Sequence, residues 1–362
     1  MRSVMMRVLP KPMLGIDEKT LVNEINSALR VLITGAGSVY GQGIIRSLKE
    51  SVLPVETIAI DSNPYSLGLF FAHKSYIAPQ VADEEIYYMF IKNLCINHQI
   101  KAIFIGSTAE LPFYSRNRES LEISTGAKVF VNPPTVIELC TDKWLTMCHL
   151  SSSGFQIPAT IRYPEDAGML SSFIESTGFP LIVKPRFGRG SVGVVLVKDK
   201  QQLLENIKGK ESLIIQEYLT DEEQEFTVGI CINQKGKVIS KIALRRYLLE
   251  GVSIAAVSDD YHHIADYCAK AISTFGAYGA INIQLRLKDS MPVIFEINPR
   301  FSSSTGMRLL FGINEPESLI RSEVLCQEVI PGSPATGLVL RQYMDYYFSL
   351  DKLNSLSTSR LH

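Results

Sequence analysis

Long apolar runs are missing from this sequence of 362 residues. Its longest apolar blocks are short, such as residues 67–72, whereas a membrane-spanning helix needs roughly 18 or more apolar residues in a row. Residues 1–30 carry acidic and basic side chains and lack the continuous apolar core of a secretory signal. We therefore expect a cytoplasmic protein that has no membrane partner.

Closely spaced cysteine or histidine motifs are also absent. The six cysteines include no C-x-x-C pair, and the six histidines form neither H-x-x-x-H nor H-E-x-x-H. These absences argue against a disulfide framework, a zinc site and a histidine-based metal centre. The apolar sequence around the cysteines predicts reduced, buried thiols.

An excess of charge of one sign is missing as well. The chain has 36 basic and 37 acidic side chains, and the resulting net charge of −1 argues against a dedicated nucleic-acid binder. Hydrophobic residues at 46% and charged residues at 20% are typical of a globular protein. At this length we expect two or three domains.

The N-terminal part of the sequence contains a strand, a glycine-rich turn and a helix. The strand A-L-R-V-L-I-T at residues 28–34 is followed by G-A-G-S-V-Y-G-Q-G and then by the helical pattern I-I-R-S-L-K-E. Further strands are expected at residues 57–60, 102–105 and 129–131, with a helix at residues 84–97. This alternation predicts an α/β domain with a parallel sheet.

The glycine turn is open to two interpretations. A strand, a glycine turn and an acid at the end of the second strand, here Asp61, also mark dinucleotide sites. The spacing here is G-x-G-x-x-x-G instead of G-x-G-x-x-G. We therefore keep NAD(P) binding as the alternative and favour a turn that binds no dinucleotide.

A lysine and several glycines form the next chemical signal. Helices are expected over residues 135–153 and 166–177, and F-P-L-I-V-K-P after them is a strand. The glycines of R-F-G-R-G-S-V-G then form the tip of a hairpin that returns through V-V-L-V. Lys184 lies inside an apolar strand and needs an anionic partner, and backbone N–H groups of the tip can surround phosphate oxygens. The lysine precedes the glycines, so this is not a Walker loop.

The strongest signal is the segment I-N-I-Q-L-R-L-K-D-S-M-P-V-I-F-E-I-N-P-R at residues 281–300. Glu296 and Asn298 are two residues apart on one strand, so their side chains share a face of the sheet. A turn at residues 288–290 places Gln284 opposite Glu296 on that face. Three oxygen ligands with one carboxylate suit Mg²⁺, which also binds water and phosphate oxygens.

Two shorter segments offer contacts for the base and the sugar of a nucleotide. I-I-Q-E-Y-L presents backbone groups at residues 216–219 to an adenine edge, and Glu225 in E-Q-E-F-T-V can accept hydrogen bonds from ribose hydroxyls. Either segment alone would be an ordinary strand. Their order along the chain, with the lysine hairpin before them and the metal strand after them, indicates a nucleotide site.

These motifs in this order resemble the ATP-grasp superfamily, in particular its carbamoyl-phosphate-synthase-like and D-alanine-ligase-like branches. The resemblance rests on T-D-K-W, I-V-K-P, the glycine hairpin, Q-E-Y-L, E-F-T-V and Q…E-I-N-P-R, and it extends from about residue 30 to residue 347. It implies an α/β protein with a parallel Rossmann-like domain followed by a two-subdomain ATP-grasp fold, whose antiparallel sheets hold ATP between them. The implied segments are an N-terminal extension at residues 1–28, the Rossmann-like domain at 29–134, the small grasp subdomain at 135–210, the large one at 211–348 and a tail at 349–362.

The resemblance also implies individual roles. The hairpin at residues 186–194 would close over the ATP phosphates, and Gln284, Glu296 and Asn298 would hold two Mg²⁺ ions, for which Mn²⁺ is an alternative. Nucleotide-binding residues would be Lys143, Lys184, Gly188, Arg189, Gly190, Ser191, Gln216, Glu217, Tyr218, Leu219 and Glu225. Catalytic residues would be Lys184, Arg246 and Arg300.

Two departures from the family pattern affect these assignments. The spacing between Q-E-Y-L and E-F-T-V is one or two residues longer, which leaves Glu223 as an alternative to Glu225 for the ribose. The first metal position is Gln284, as in the carbamoyl-phosphate-synthase-like branch, where other branches have an acid. Candidates for holding a carboxylate substrate are Arg245, Arg246 and residues 302–305.

The resemblance implies an ADP-forming carboxylate–amine ligase. ATP would phosphorylate a carboxylate, and an amine would then displace phosphate from the acyl phosphate to form an amide. One alternative is an enzyme that uses bicarbonate and makes carboxyphosphate or carbamate, and another is a nucleotide-binding subunit without catalysis. We expect small-molecule carboxylate and amine substrates, no nucleic acid and a homodimer.

Overall fold

A computed structural model describes residues 28–188, 192–220, 225–249 and 251–357. These residues form three β-sheets, one parallel and two antiparallel, with helices packed against them. The predicted extension at residues 1–28 lies outside the described residues except for its last residue. Within the described ranges, no helix combines the length and apolarity needed to cross a bilayer.

The N-terminal sheet has five parallel strands in the order β3-β2-β1-β4-β5. The strands are β1 Leu29–Ile33, β2 Val55–Asp61, β3 Lys74–Ile77, β4 Ala102–Phe104 and β5 Lys128–Phe130. The helices are α1 Val39–Lys49, α2 Leu67–Phe71, α3 Glu84–His98 and α4 Leu111–Thr125. Apolar side chains are buried on both faces of this sheet, which explains why its strands are short continuous apolar runs. The predicted Rossmann-like parallel sheet is confirmed.

The helical stretch predicted over residues 135–153 is two helices, α5 Pro134–Thr141 and α6 Lys143–Ser152. Asp142 has an extended backbone between them, and its Oδ1 accepts hydrogen bonds from the backbone N–H groups of Trp144 at 3.0 Å and Leu145 at 3.2 Å. The prediction of one helix was therefore wrong, because an aspartate N-cap begins a new helix here.

The second sheet has four antiparallel strands in the order β6-β9-β7-β8. The strands are β6 Thr160–Tyr163, β7 Leu181–Pro185, β8 Val195–Val197 and β9 Leu213–Glu217. Helices α7 Leu170–Thr177 and α8 Lys200–Ile207 bury Phe173 and Leu203 against it. The predicted β7–β8 hairpin is confirmed. Strand β9 lies beyond the predicted boundary at residue 210, so the small sheet extends to Glu217.

The third sheet has six antiparallel strands in the order β14-β13-β10-β11-β12-β15. The strands are β10 Glu225–Ile232, β11 Val238–Leu249, β12 Val252–Ser258, β13 Gly279–Lys288, β14 Met291–Asn298 and β15 Gly337–Leu340. Its apolar face packs on helix α9 His262–Ser273. After β14 come α10 Thr305–Leu310, α11 Glu315–Leu319 and, in the predicted tail, α12 Leu350–Ser357, whose Leu356 is buried against the Rossmann-like domain.

All six cysteines are free thiols, in agreement with the prediction that the chain has no disulfide framework. Four of them are buried, but Cys148 and Cys326 are exposed, so the prediction of buried thiols was wrong for these two. Helix α6 turns Met147 and Leu150 into the core and leaves Cys148 on its solvent side.

A buried ion pair links the six-stranded sheet to the helices that follow it. Arg308 and Glu315 are 0% and 1% exposed, and their Nη1 and Oε1 atoms are 2.9 Å apart. Arg308 Nη2 also donates to Asn282 Oδ1 at 2.5 Å and to Thr227 Oγ1 at 3.3 Å. A Cβ atom at Gly229 would lie 2.2 Å from Glu315 Oε1 and 2.3 Å from Arg308 Nη1. Only glycine fits beneath this pair.

Replacement of Gly229 by alanine is expected to lower the free energy of unfolding by roughly 3 kcal/mol, because the added methyl group separates a buried ion pair. Urea unfolding measures the change. The control is Gly168→Ala, where a Cβ meets no atom within 4 Å and the change should stay within about 0.5 kcal/mol. Equal stabilities of the two variants would contradict this account.

Candidate functional site

A cavity of about 270 Å³ lies between the four-stranded sheet and the polar face of the six-stranded sheet. Most residues selected from the sequence line it: Lys143, Lys184, Gly188, Gln216, Glu217, Tyr218, Leu219, Glu225, Arg246, Gln284, Glu296 and Arg300. Asn298 lines an adjoining cavity. Arg189, Gly190 and Ser191, and the alternative ribose acceptor Glu223, lie outside the described residues.

Lys184 is a buried cation on strand β7 and is only 6% exposed. The pKa of its ammonium group is lowered to about 8, mainly because the group is buried; the positive charge of Lys143 contributes to this lowering, and the negative charge of Glu296 opposes it. Its Nζ lies 5.9 Å from the centre of the Phe295 ring. The side chain is therefore a desolvated cation whose protonated form an anionic ligand would favour.

Lys143 is the first residue of helix α6, and it is tied to the β7–β8 hairpin. Its Nζ donates to the Gly188 carbonyl at 3.1 Å, and its backbone N–H donates to the Arg186 carbonyl at 3.1 Å. Arg186 Nη2 is 2.6 Å from Asp142 Oδ2. Burial raises the pKa of Asp142, but hydrogen bonds from Arg186 and from the helix N–H groups outweigh burial and lower it. The sequence motif T-D-K-W had indicated Lys143 but not Asp142, which caps the helix that places it.

The predicted metal hairpin has the expected register. Gln284 pairs with Glu296, Asn282 pairs with Asn298, and the turn at residues 288–290 connects the two strands. Gln284 Oε1 accepts a hydrogen bond from Arg246 Nη2 at 2.9 Å, and Asn298 Oδ1 accepts one from Arg300 Nη2 at 3.0 Å.

The Glu296 carboxylate differs from its two neighbours. Among the described residues it makes no hydrogen bond and no ion pair, and it interacts electrostatically with Lys143 and Lys184. The described ranges also contain no cluster of three or more His, Cys, Asp or Glu side chains that could hold a metal ion by themselves. One free carboxylate with two amide oxygens fits a hard cation only where phosphate or water oxygens complete its coordination.

Glu225 is buried between two arginines instead of facing the cavity with free oxygens. Its Oε1 is 2.6 Å from Arg246 Nη2, and its Oε2 is 2.7 Å from Arg286 Nη2. Both carboxylate oxygens are thus bonded to guanidinium groups in a site where Glu225 is 5% exposed. Its contact with a ribose stays a prediction, whereas its observed contacts position Arg246 and Arg286.

Arg245 does not belong to this site. It pairs with Phe226, which packs in the apolar core against α9, so its Cβ is on the face of the sheet opposite the cavity. Arg246, the next residue, is on the cavity face and is 7% exposed. The prediction that both arginines hold a carboxylate substrate was wrong for Arg245, because neighbouring strand residues alternate between faces.

The segment predicted to contact adenine leaves the small sheet at the cavity edge. Gln216 Nε2 donates to Thr160 Oγ1 at 2.9 Å, and Glu217 Oε1 is 2.5 Å from Lys288 Nζ. The Arg286 guanidinium carbon lies 5.2 Å from the centre of the Tyr218 ring. These contacts fix the side chains of the segment and leave the adenine assignment as a prediction.

The Rossmann-like domain contributes Tyr40, a residue that the sequence had not indicated. Tyr40 is in the first turn of α1, lines the cavity, and has its ring centre 4.1 Å from the Arg300 guanidinium carbon. No local motif marks this residue, since the contact joins segments about 260 positions apart in the chain.

The glycine turn that resembled a dinucleotide site makes its hydrogen bonds and close contacts with other residues of the same domain. Asp61 Oδ2 accepts from the Gly37 backbone N–H at 2.8 Å, and its Oδ1 accepts from Asn63 at 2.9 Å. Ser38 Oγ caps α1. A Cβ at Gly37 would lie 2.2 Å from Ser66 Oγ. Packing within the domain therefore accounts for the glycine and for the acid at the end of β2.

Two protein families match separate parts of the chain. Residues 31–129 match the family described as "PylC-like, N-terminal domain", and residues 209–340 match "ATP-grasp in the biosynthetic pathway with Ter operon". This chain contains an ATP-grasp domain. The second match covers the polar face of the six-stranded sheet, and the first covers the parallel sheet that supplies Tyr40.

This chain spans less than two thirds of the length of the curated relatives that it matches. The carbamoyl phosphate synthase large chain of Thermoplasma volcanium is 26% identical over 307 residues, which are 77% of this chain and 29% of that protein. A D-alanine–D-alanine ligase of Bacillus anthracis is 25% identical over 181 residues, which are 44% of this chain and 57% of that protein.

Solved structures share the fold at low identity. The biotin carboxylase domain of Hydrogenobacter thermophilus 2-oxoglutarate carboxylase, determined with MgADP and bicarbonate, has a TM-score of 0.65 and 17% identity over 86% of this chain and 74% of that chain. N5-carboxyaminoimidazole synthetase of Staphylococcus aureus has a TM-score of 0.63 and 16% identity over 86% of this chain and 80% of that chain. These structures therefore share the fold of this chain.

Proposed function

We propose that this protein is an ADP-forming ligase that joins a carboxylate to an amine at the cost of ATP. The observation that carries the proposal is that two partly or fully buried lysines, Lys143 and Lys184, interact with the carboxylate of Glu296, which forms no hydrogen bond or ion pair with any described residue. Two desolvated cations suit the phosphates of a nucleotide, and a free carboxylate beside them suits the metal ion that accompanies those phosphates.

The charged residues have separate roles in the proposed phosphoryl transfer, namely metal binding and phosphate binding. Glu296, with the amide oxygens of Gln284 and Asn298, would hold Mg²⁺, which neutralises phosphate charge when bound. Lys143 and Lys184 bind and orient the phosphates, and the hairpin that follows Lys184 covers them. The adenine and ribose would lie along residues 216–219 and beside Glu225.

Arg246, Arg300 and residues 302–305 would hold the carboxylate substrate in the same cavity as the nucleotide, beyond its terminal phosphate. Arg300 is fixed by its bond to Asn298 and by the Tyr40 ring, and Arg246 is fixed by Glu225. A substrate carboxylate oxygen attacks the terminal phosphorus, and the bond to the ADP oxygen breaks. The amine nitrogen then attacks the acyl carbon, the bond to phosphate oxygen breaks, and the amine loses its proton as phosphate leaves.

A bicarbonate-using enzyme is the second candidate function. It is favoured by the sequence likeness to carbamoyl phosphate synthase and by the fold shared with a biotin carboxylase domain determined with bicarbonate. The same cations would then orient bicarbonate, and the phosphorylated species would be carboxyphosphate. A nucleotide-binding subunit without catalysis is less consistent with the free carboxylate of Glu296. The homodimer and the cytoplasmic location stay predictions.

Phosphate release from MgATP across paired panels of carboxylates and amines tests the proposal. We expect release that requires one organic carboxylate and one amine together and that yields ADP. Release with bicarbonate in place of an organic carboxylate would select the second candidate. If no pair gives phosphate release from MgATP and the protein also fails to bind MgADP, both candidate functions are overturned.

A further inference from the structure

A second cavity of about 390 Å³ adjoins the nucleotide cavity at the end of strand β14. Five residues line both cavities: Lys143, Gly188, Phe295, Glu296 and Arg300. The shared residues include Lys143 and Glu296, which are assigned above to phosphoryl transfer, and Arg300, which is assigned to the carboxylate substrate. A molecule in the second cavity would therefore lie next to the residues at which the acyl phosphate is proposed to form.

Apart from the shared residues, the described wall of the second cavity is mostly apolar, and its polar side chains are three threonines, Cys140 and Asn298. Apart from the shared Lys143, Glu296 and Arg300, none of the described residues that line it is charged. Leu111, Ile137, Met147 and Ile297 supply apolar surface.

Two of the three threonine hydroxyls in this wall donate hydrogen bonds to backbone carbonyls of helix α5. Thr141 Oγ1 donates to the Ile137 carbonyl at 2.7 Å, and Thr146 Oγ1 donates to the Leu139 carbonyl at 2.8 Å. Neither hydroxyl proton is left for a ligand. Among the described residues, a molecule held here would meet an uncharged, mostly apolar wall except at the end that faces the charged side chains of Lys143, Glu296 and Arg300.

We propose that this second cavity receives the amine substrate, and that the amine carries an uncharged, partly apolar substituent. The inference rests on the proposed ligase function, in which the arginines and serines of the nucleotide cavity already account for the carboxylate substrate. An amine that bore an additional carboxylate or ammonium group would bury that charge against the apolar wall without a partner. The amino group itself lies toward the residues shared by the two cavities, where it can reach the acyl carbon of the acyl phosphate.

The test uses the full chain saturated with MgADP and measures binding of small amines by saturation-transfer NMR. The probes are benzylamine and butylamine, with β-alanine and 1,4-diaminobutane as charged counterparts. Ala109 lies on the exposed rim of the cavity, and Ala109→Phe should fill its mouth. The matched control is Ala82→Phe, an exposed position that lines neither cavity.

We expect benzylamine and butylamine to bind at least tenfold more tightly than the charged probes. Ala109→Phe should weaken benzylamine binding at least tenfold, and Ala82→Phe should leave it unchanged. MgADP binding by each variant reports that it is folded, and Thr108→Phe replaces Ala109→Phe if the latter does not fold. Equal binding of amines with and without a second charged group, or benzylamine binding unaffected by the filled cavity, would overturn this inference alone. Failure of the wild-type protein to bind MgADP would overturn the proposed function instead.

Discussion

Glu296→Gln is expected to lower MgATP-dependent phosphate release by about three orders of magnitude, which corresponds to about 4 kcal/mol of transition-state stabilisation. The change keeps the size of the side chain and one oxygen but removes its charge. Glu296 is the only carboxylate of the predicted metal set, and it makes no hydrogen bond or ion pair with any described residue, so its charge is available to the cation. Steady-state phosphate release at saturating MgATP measures the effect.

The control for this variant is Glu211→Gln, an exposed position outside both cavities. It removes the same charge from the protein and should leave phosphate release within about twofold of wild type. Near-normal release by Glu296→Gln, with the magnesium requirement retained, would contradict the assignment of this residue to the metal.

Lys184→Met is expected to stabilise the nucleotide-free protein while weakening MgADP binding by roughly 10- to 100-fold. The lysine is 6% exposed and charged at neutral pH, so its burial costs on the order of 3 kcal/mol when its pKa falls from 10.5 to about 8. Methionine removes this cost and also removes a charge-assisted contact with phosphate. Urea unfolding and calorimetric titration with MgADP measure the two effects.

The pH dependence of stability separates this explanation from a simple packing effect. The folded-state pKa of Lys184 lies below its unfolded-state value, so between about pH 8 and 10.5 the unfolded chain binds more protons. The contribution of this lysine therefore makes wild-type stability rise with pH across that window, and Lys184→Met should lack that rise. Lys208→Met, at an exposed position, should retain it. Parallel pH profiles for wild type and Lys184→Met would show that Lys184 is not a buried cation.

The geometry of the metal hairpin could be predicted from sequence because a strand has a side-chain period of two. That period and the turn at residues 288–290 together set Gln284 opposite Glu296, as the structure shows. The same alternation carried one more signal, since Asn282, Gln284 and Arg286 share a face and all three line the nucleotide cavity. Applied to β11, it would also have excluded Arg245.

Other parts of the site depend on contacts between segments far apart in the chain. Tyr40 stacks on Arg300, and both oxygens of Glu225 are bonded to arginines of other strands. No local pattern encodes which strand lies beside which, so the sequence alone indicated a free ribose acceptor at Glu225. The boundary between helices α5 and α6 at Asp142 could not be predicted for a different reason. The apolar periodicity continues through this capping residue, at which the second helix begins.

Transfer of ¹⁸O tests the central claim most directly. Once the panel has identified the organic carboxylate, that substrate is supplied with both carboxylate oxygens labelled, together with MgATP and the amine, and the released phosphate is analysed by mass spectrometry. Attack of a carboxylate oxygen on the terminal phosphorus predicts that each phosphate carries one ¹⁸O atom and that ADP is formed in equal amount. Unlabelled phosphate from a reaction that consumes the labelled carboxylate would contradict the account.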